Sequence, residues 1–172
     1  MIHTATNQPD DDDTIPAMNV SEFLSPQAVF CDVSAPNKKK LLAELATMAS
    51  SVCGLDAGLI FEALWEREKL GSTGVGQGVA IPHGRMEKLD RIIGVFVQLA
   101  VPVPFDSVDD APVDLVFLLL TPQAAGADHL KALARVSRLL RSHVICEKLR
   151  ASKDSAALFA LLTEPAAGYQ AA

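Results

Sequence analysis

Two nearly unbroken apolar runs, Ile92–Leu99 and Val113–Leu120, set the tightest limit on what this chain can fold into. A strand with one wet face alternates apolar and polar side chains. A strand that is apolar at almost every position is buried on both faces and needs helices on both sides of its sheet. The stretches Ile92–Phe105 and Leu115–Leu120 fall short of the roughly 18 unbroken apolar residues of a membrane-spanning helix. They read as interior strands of one α/β layer sandwich with a mixed sheet.

The remaining chain supplies the covering helices. Ala28–Val33 is a short strand candidate. Ser34 offers an N-cap and Pro36 suits a first turn, and Leu41, Leu45, Met48 and Val52 follow at helical spacing until Gly54. Asp56 can cap a second helix, through Ile60, Ala63 and Leu64 to about Lys69, with a stop at Gly71. The Lys38–Lys40 run reads as the solvated first turn of the first helix. Val79–Ile81 is a short strand, and Pro102, Pro104, Pro112, Asp106, Asp109 and Asp110 mark a turn region. Asp128 is expected to cap a helix with Leu130, Leu133, Val136 and Leu140 inward, and shorter helices follow at about 145–151 and 154–163. Residues 1–18, polar and carrying Asp10–Asp13, read as a disordered acidic tail, 19–164 as one domain and 165–172 as a frayed C-terminus.

The formal charge is −6, of which the four consecutive aspartates carry −4. The rest is near neutral and only 5% of residues are aromatic, so neither a phosphate-neutralising surface nor a stacking platform for nucleic acid is present. No basic-then-apolar leader opens the chain. Cys31, Cys53 and Cys146 lack a Cys-x-x-Cys pair and read as reduced, mostly buried thiols of a cytoplasmic protein. His83, His129 and His143 show no metal-ligand spacing, and no metal or cofactor is expected. His143 and His3 read as surface residues.

The segment Gly74-Val75-Gly76-Gln77-Gly78-Val79-Ala80-Ile81-Pro82-His83-Gly84 carries the chemistry. Glycines at 74, 76 and 78 permit positive φ and bring backbone N–H groups together, which suits an anion. Pro82 restricts the backbone before His83, and Gly84 leaves room beside the imidazole. A dinucleotide fingerprint would need glycine at Val79 and a preceding strand, and no Gly-Lys-Ser/Thr follows. Ser72, His83 and an aspartate could form a hydrolase triad, but Ser72 lies on no Gly-x-Ser-x-Gly elbow. There remains a histidine acting as its own nucleophile. Neutral imidazole is abundant at pH 7 with an ordinary pKa of about 6.5, and one nitrogen can attack phosphorus while the other is held by a hydrogen bond. The added charge, near −2, needs donors. Arg67, Ser72, Thr73 and the loop N–H groups, including those of Gly74 and Gly76, are near in sequence.

Glu68, Val75, Gly76, Val79, Ala80, Ile81, Pro82, His83 and Gly84 resemble the active-site signature of type-2 enzyme IIA domains of the phosphoenolpyruvate-dependent phosphotransferase system, the fructose/mannitol group. Arg67–Gly74, Gly94–Leu99, Pro112–Leu115 and Asp128–Leu130 are similar in turn, so the likeness spans about 20–163. The wording is nearest the nitrogen-regulatory branch. The resemblance implies a single α/β domain with a mixed sheet of about five strands and helices on both faces. It implies that His83 accepts a phosphoryl group from an HPr-like carrier charged by enzyme I. Arg67 then corresponds to the arginine near the phosphohistidine and His129 to a second active-site histidine. Such a protein would regulate targets such as a potassium transporter or sensor kinase through its phosphorylation state. The alternatives are a sugar-specific IIA donor to a separate IIB chain and a binding module that never carries phosphate.

Overall fold

The computed structural model describes residues 18–164. Both long apolar runs are strands: β5 spans Ile93–Val103 and β6 spans Val113–Pro122. They pair antiparallel, with Ile93 opposite Leu120 and Val97 opposite Val116. Every residue from Leu115 to Leu120 is fully buried, as a strand covered on both faces requires. β5 runs beyond Leu99 into the segment expected to turn. Pro102 is accommodated because the ladder is irregular between Gln98 and Val103, where no partner needs its missing N–H.

Around this pair the sheet is mixed. β1 (Val29–Val33) joins β5 in parallel. β3 (Val79–Ala80) and β4 (His83–Met86) both lie parallel along β6, at successive levels of its outer edge. β2 (Gly74–Gly76) closes antiparallel on β3. The path is β1-β5-β6-β3-β2 with β4 beside β6, six strands and not the expected five. The extra strand exists because Ile81-Pro82 breaks one extended segment into two pieces, β3 and β4.

α1 (Lys38–Cys53) and α2 (Ala57–Lys69) pack together, and α3 (Ala127–Leu140), α4 (His143–Ala151) and α5 (Ser155–Thr163) follow. At β4 the two faces are distinguishable by strand alternation. A Cβ on Gly84 would meet the Ala63 methyl of α2 at 3.4 Å, whereas the neighbouring His83 ring lies against His129 of α3. Helices therefore cover both faces.

Several local expectations shift. α1 starts at Asn37, whose side chain accepts the Lys40 N–H at 2.9 Å, and not at Ser34 or Pro36. Its end is Gly54, with φ 78°. α3 is preceded by Gly126, and Asp128 lies within its first turn without capping it. Leu130 is 65% exposed, because the inward stripe runs through His129, Ala132, Val136 and Leu139 and leaves Leu130 about 100° away. Only Cys146 is buried; Cys31 and Cys53 are half-buried, and all three are free thiols. Met18 packs against the core and belongs to the domain. The remaining acidic tail, His3 and residues 165–172 lie outside the described residues. His143 is exposed, as expected.

Candidate functional site

His83 opens β4, half-buried, two residues after the strand break at Ile81. Its Nδ1 lies 2.9 Å from the Ile81 carbonyl oxygen. A carbonyl only accepts, so Nδ1 carries the ring proton, and in the neutral ring Nε2 holds a lone pair. Among the described residues Nε2 has no hydrogen-bond partner. Burial is the largest influence on the ring and lowers its pKa below 6.5. The Ile81 bond opposes this, the Arg67 charge adds to it and the Glu68 charge works against it. The ring is thus neutral at pH 7.

The second histidine comes from α3. His129 is buried, and its ring centroid lies 5.8 Å from that of His83, tilted by 57°. Its Nδ1 is 2.6 Å from the Thr121 hydroxyl, near the end of β6. Burial, the Arg85 charge and then the His83 charge lower its pKa. Arg67, at the end of α2, donates from Nη1 to the Gly71 carbonyl at 2.9 Å. Arg85 follows His83 by two residues, shares its face of β4, and is paired in register with Thr121. Neither Arg85 nor Thr121 is among the residues the motif points to. Arg85 follows from the period-2 rule only once His83 is known to lie on a strand. Thr121 was signalled only by a hydroxyl closing an apolar run.

The glycine segment has a different character. β2 and β3 form a tight hairpin whose turn residues, Gln77 and Gly78, have φ of 57° and 80°. A Cβ on Gly78 would approach Arg150 Nη2 to 2.6 Å and Asp114 Oδ1 to 2.8 Å. Arg150 binds Asp114 with two nitrogens, at 2.8 and 2.9 Å, and donates to the Gln77 carbonyl. The turn N–H of Gln77 donates to Asp109 at 2.8 Å, a contact that, with the Ala111 N–H, lowers the Asp109 pKa. The glycine loop does collect an anion, and that anion is its own aspartate.

Before the hairpin, Glu68 is the organising residue. Its side chain is 2% exposed, pairs with Lys38 at 2.7 Å, and accepts both the Thr73 N–H and the Thr73 hydroxyl. Lys38 is itself only 15% exposed and lies 4.7 Å from the Phe105 ring centre, so this member of the lysine run is a half-buried ion-pair partner and not a freely solvated charge. The Ser72 hydroxyl donates to the Phe105 carbonyl at 2.7 Å and receives the Gly74 N–H. Ser72 therefore makes no triad with His83. The donors of Ser72, Thr73 and Gly74, expected to face a phosphate, are engaged within the protein. Gly76 is buried against Asp109 and Val108.

Fold and site together define an α/β sandwich that presents a neutral histidine at a sheet edge, with a second histidine and two arginines around it. The chain belongs to the type-2 EIIA family of the phosphoenolpyruvate-dependent sugar phosphotransferase system, whose family model matches residues 22–164. It is 50% identical over 150 residues to a nitrogen regulatory protein of Bradyrhizobium diazoefficiens, covering 87% of this chain and 98% of that one. A nitrogen regulatory protein of Escherichia coli is 38% identical over 148 residues, 86% of this chain and 91% of the other. The crystal structure of nitrogen regulatory protein IIA-Ntr from Neisseria meningitidis superposes with a TM-score of 0.80 at 37% identity, over 84% of this chain and 99% of that one. Among the described residues no helix is long and apolar enough to cross a membrane.

Proposed function

We propose that this protein is a phosphohistidine-carrying regulator of a nitrogen-type phosphotransferase system, working in the cytoplasm. His83 accepts the phosphoryl group of an HPr-like carrier through Nε2. The reading is carried by one observation: Nδ1 is committed to the Ile81 carbonyl, which leaves Nε2 as a neutral, unpartnered nucleophile beside His129. The Nε2 lone pair forms the new N–P bond while the N–P bond of the carrier breaks and its electron pair returns to the carrier imidazole. His83 keeps its Nδ1 proton throughout, and the Ile81 carbonyl stabilises the positive character the ring then gains.

The arriving phosphoryl oxygens need donors that the glycine hairpin has already committed. Arg67, Arg85 and the His129 ring meet that need in this reading, by charge and by one N–H. Ser72, Thr73, Gly74 and Gly76 act at one remove, by holding the loop that ends in His83. The new charge at a half-buried histidine lets a partner be favoured in one phosphorylation state and rejected in the other. The names of the similar proteins, nitrogen regulatory proteins, favour a regulatory role over donation to a sugar-specific IIB; regulated targets such as a potassium transporter or sensor kinase are part of this proposal.

Incubation with phosphoenolpyruvate, enzyme I and the HPr-like carrier is expected to leave an acid-labile, alkali-stable phosphate on the protein and none on a His83→Gln variant. Label retained by the variant would refute the assignment. Transfer onward to a purified fructose- or mannitol-type IIB would replace the regulatory reading with the sugar-specific one.

A further inference from the structure

Thr121 stands out as the polar end of an apolar run: Leu118, Leu119 and Leu120 precede it, and all four residues are fully buried. A hydroxyl removed from water is stabilised only by a partner, and the partner here is His129 Nδ1 at 2.6 Å. From this geometry we infer that Thr121 is a positioning residue of the phosphoryl site: its hydroxyl donates to His129 Nδ1 and so fixes the ring proton on Nε2, as a donor to the phosphoryl group on His83. The inference rests on the phosphocarrier reading above and adds a residue to it.

The direction of the bond follows from counting protons. A threonine hydroxyl can donate or accept, and a neutral imidazole nitrogen does one or the other. Were His129 to donate from Nδ1, the Thr121 hydroxyl proton would need another acceptor. Among the described residues Thr121 Oγ1 has none, and at zero exposure it is out of reach of bulk water. With Thr121 as donor both atoms are satisfied, and no buried polar group is left over. This arrangement requires a neutral His129. The groups nearest it, Arg85 and His83, both disfavour a positive charge there, as does burial.

The two rings then carry opposite assignments. His83 has its proton on Nδ1, bound to Ile81, and a lone pair on Nε2. His129 has its lone pair on Nδ1, bound to Thr121, and its proton on Nε2. At 5.8 Å between ring centres they offer one nucleophile and one donor to a single phosphoryl group, with neither proton moving during transfer. Thr121 never touches the reacting atoms and acts through His129.

The test combines nitrogen-15 NMR of the histidine side chains with single-turnover transfer from the phosphorylated HPr-like carrier, in wild type, Thr121→Val and Thr121→Ser. Valine matches threonine in shape, and backbone amide spectra verify that each variant is folded. Wild type and Thr121→Ser should show His129 neutral with the proton on Nε2 and a hydrogen-bonded Nδ1. Thr121→Val should lose the hydrogen-bond shift at Nδ1 and transfer on the order of tenfold more slowly, at unchanged carrier affinity, with Thr121→Ser restoring the rate. A proton on His129 Nδ1 in wild type, or a Thr121→Val rate equal to wild type, overturns the inference. A wild-type protein that takes no phosphate refutes the phosphocarrier reading and the role of Thr121 in it. The NMR result would still decide the hydrogen-bond direction by itself.

Discussion

The two sides of His83 are built on opposite plans. On the hairpin side, from Glu68 through Gly78, the donors of Ser72, Thr73, Gly74 and Gln77 are bound to internal acceptors, and Arg150 with Asp114 packs beneath the turn. On the α3 side His129 and Arg85 make a single internal hydrogen bond each, and their remaining ring and guanidinium nitrogens are unbound among the described residues. The donors of the glycine segment are spent on holding the loop, whereas His129 comes from a helix far along the chain and keeps one ring nitrogen unbound among the described residues. A glycine-rich motif can thus mark where rigidity is needed.

Removing the ion pair should damage the scaffold side most. Glu68→Ala leaves the half-buried Lys38 with only Asp106 and the Phe105 carbonyl, and Thr73 without an acceptor for two donors, and is expected to cost about 3 kcal/mol in urea unfolding. A loss under about 1 kcal/mol would mean that the hairpin side is not held as described. Gly78→Ala comes next. It places a Cβ at φ 80° against Arg150 and Asp114, and a loss of about 2 kcal/mol in the same measurement is expected.

The smallest effect belongs to the α3 side and is a slope. His83 and His129 have pKa values below 6.5 when folded, so near and below that pH the unfolded chain binds more protons than the folded one. Their contribution to stability is fully present above about pH 6.5 and is lost as pH falls toward their folded values. Unfolding free energy should decline gently as pH falls below about 6.5, with a slope well under the one-proton limit of about 1.4 kcal/mol per pH unit. His129→Gln should flatten the decline. An unchanged slope in that variant would show that His129 is not held neutral by its surroundings.

Position is legible in the sequence where the signal is local. Pro82, Gly84 and the glycines around them suffice to put His83 at a constrained corner, and it stands at the start of β4. Lys38 was misread because its partner, Glu68, is thirty residues away, and first-turn lysines are otherwise solvated. Leu130 was misplaced because a helical stripe of apolar residues has no fixed phase until one position is pinned, here by His129. For Ser72 and Thr73 the sequence gives a hydroxyl's nearness to His83 but not its acceptor, and the acceptors here, Phe105 and Glu68, come from other elements.

The sequence alone determined an α/β sheet with two doubly buried strands, since apolar runs of that length are buried on both faces, and it placed His83 at a rigid turn after a short strand. Only the tertiary structure decided which nitrogen of each histidine carries a proton. That choice depends on a carbonyl two residues back for one ring and a hydroxyl from a neighbouring strand for the other, and hydrogen-bond direction is a property of atoms brought together, not of their order along the chain.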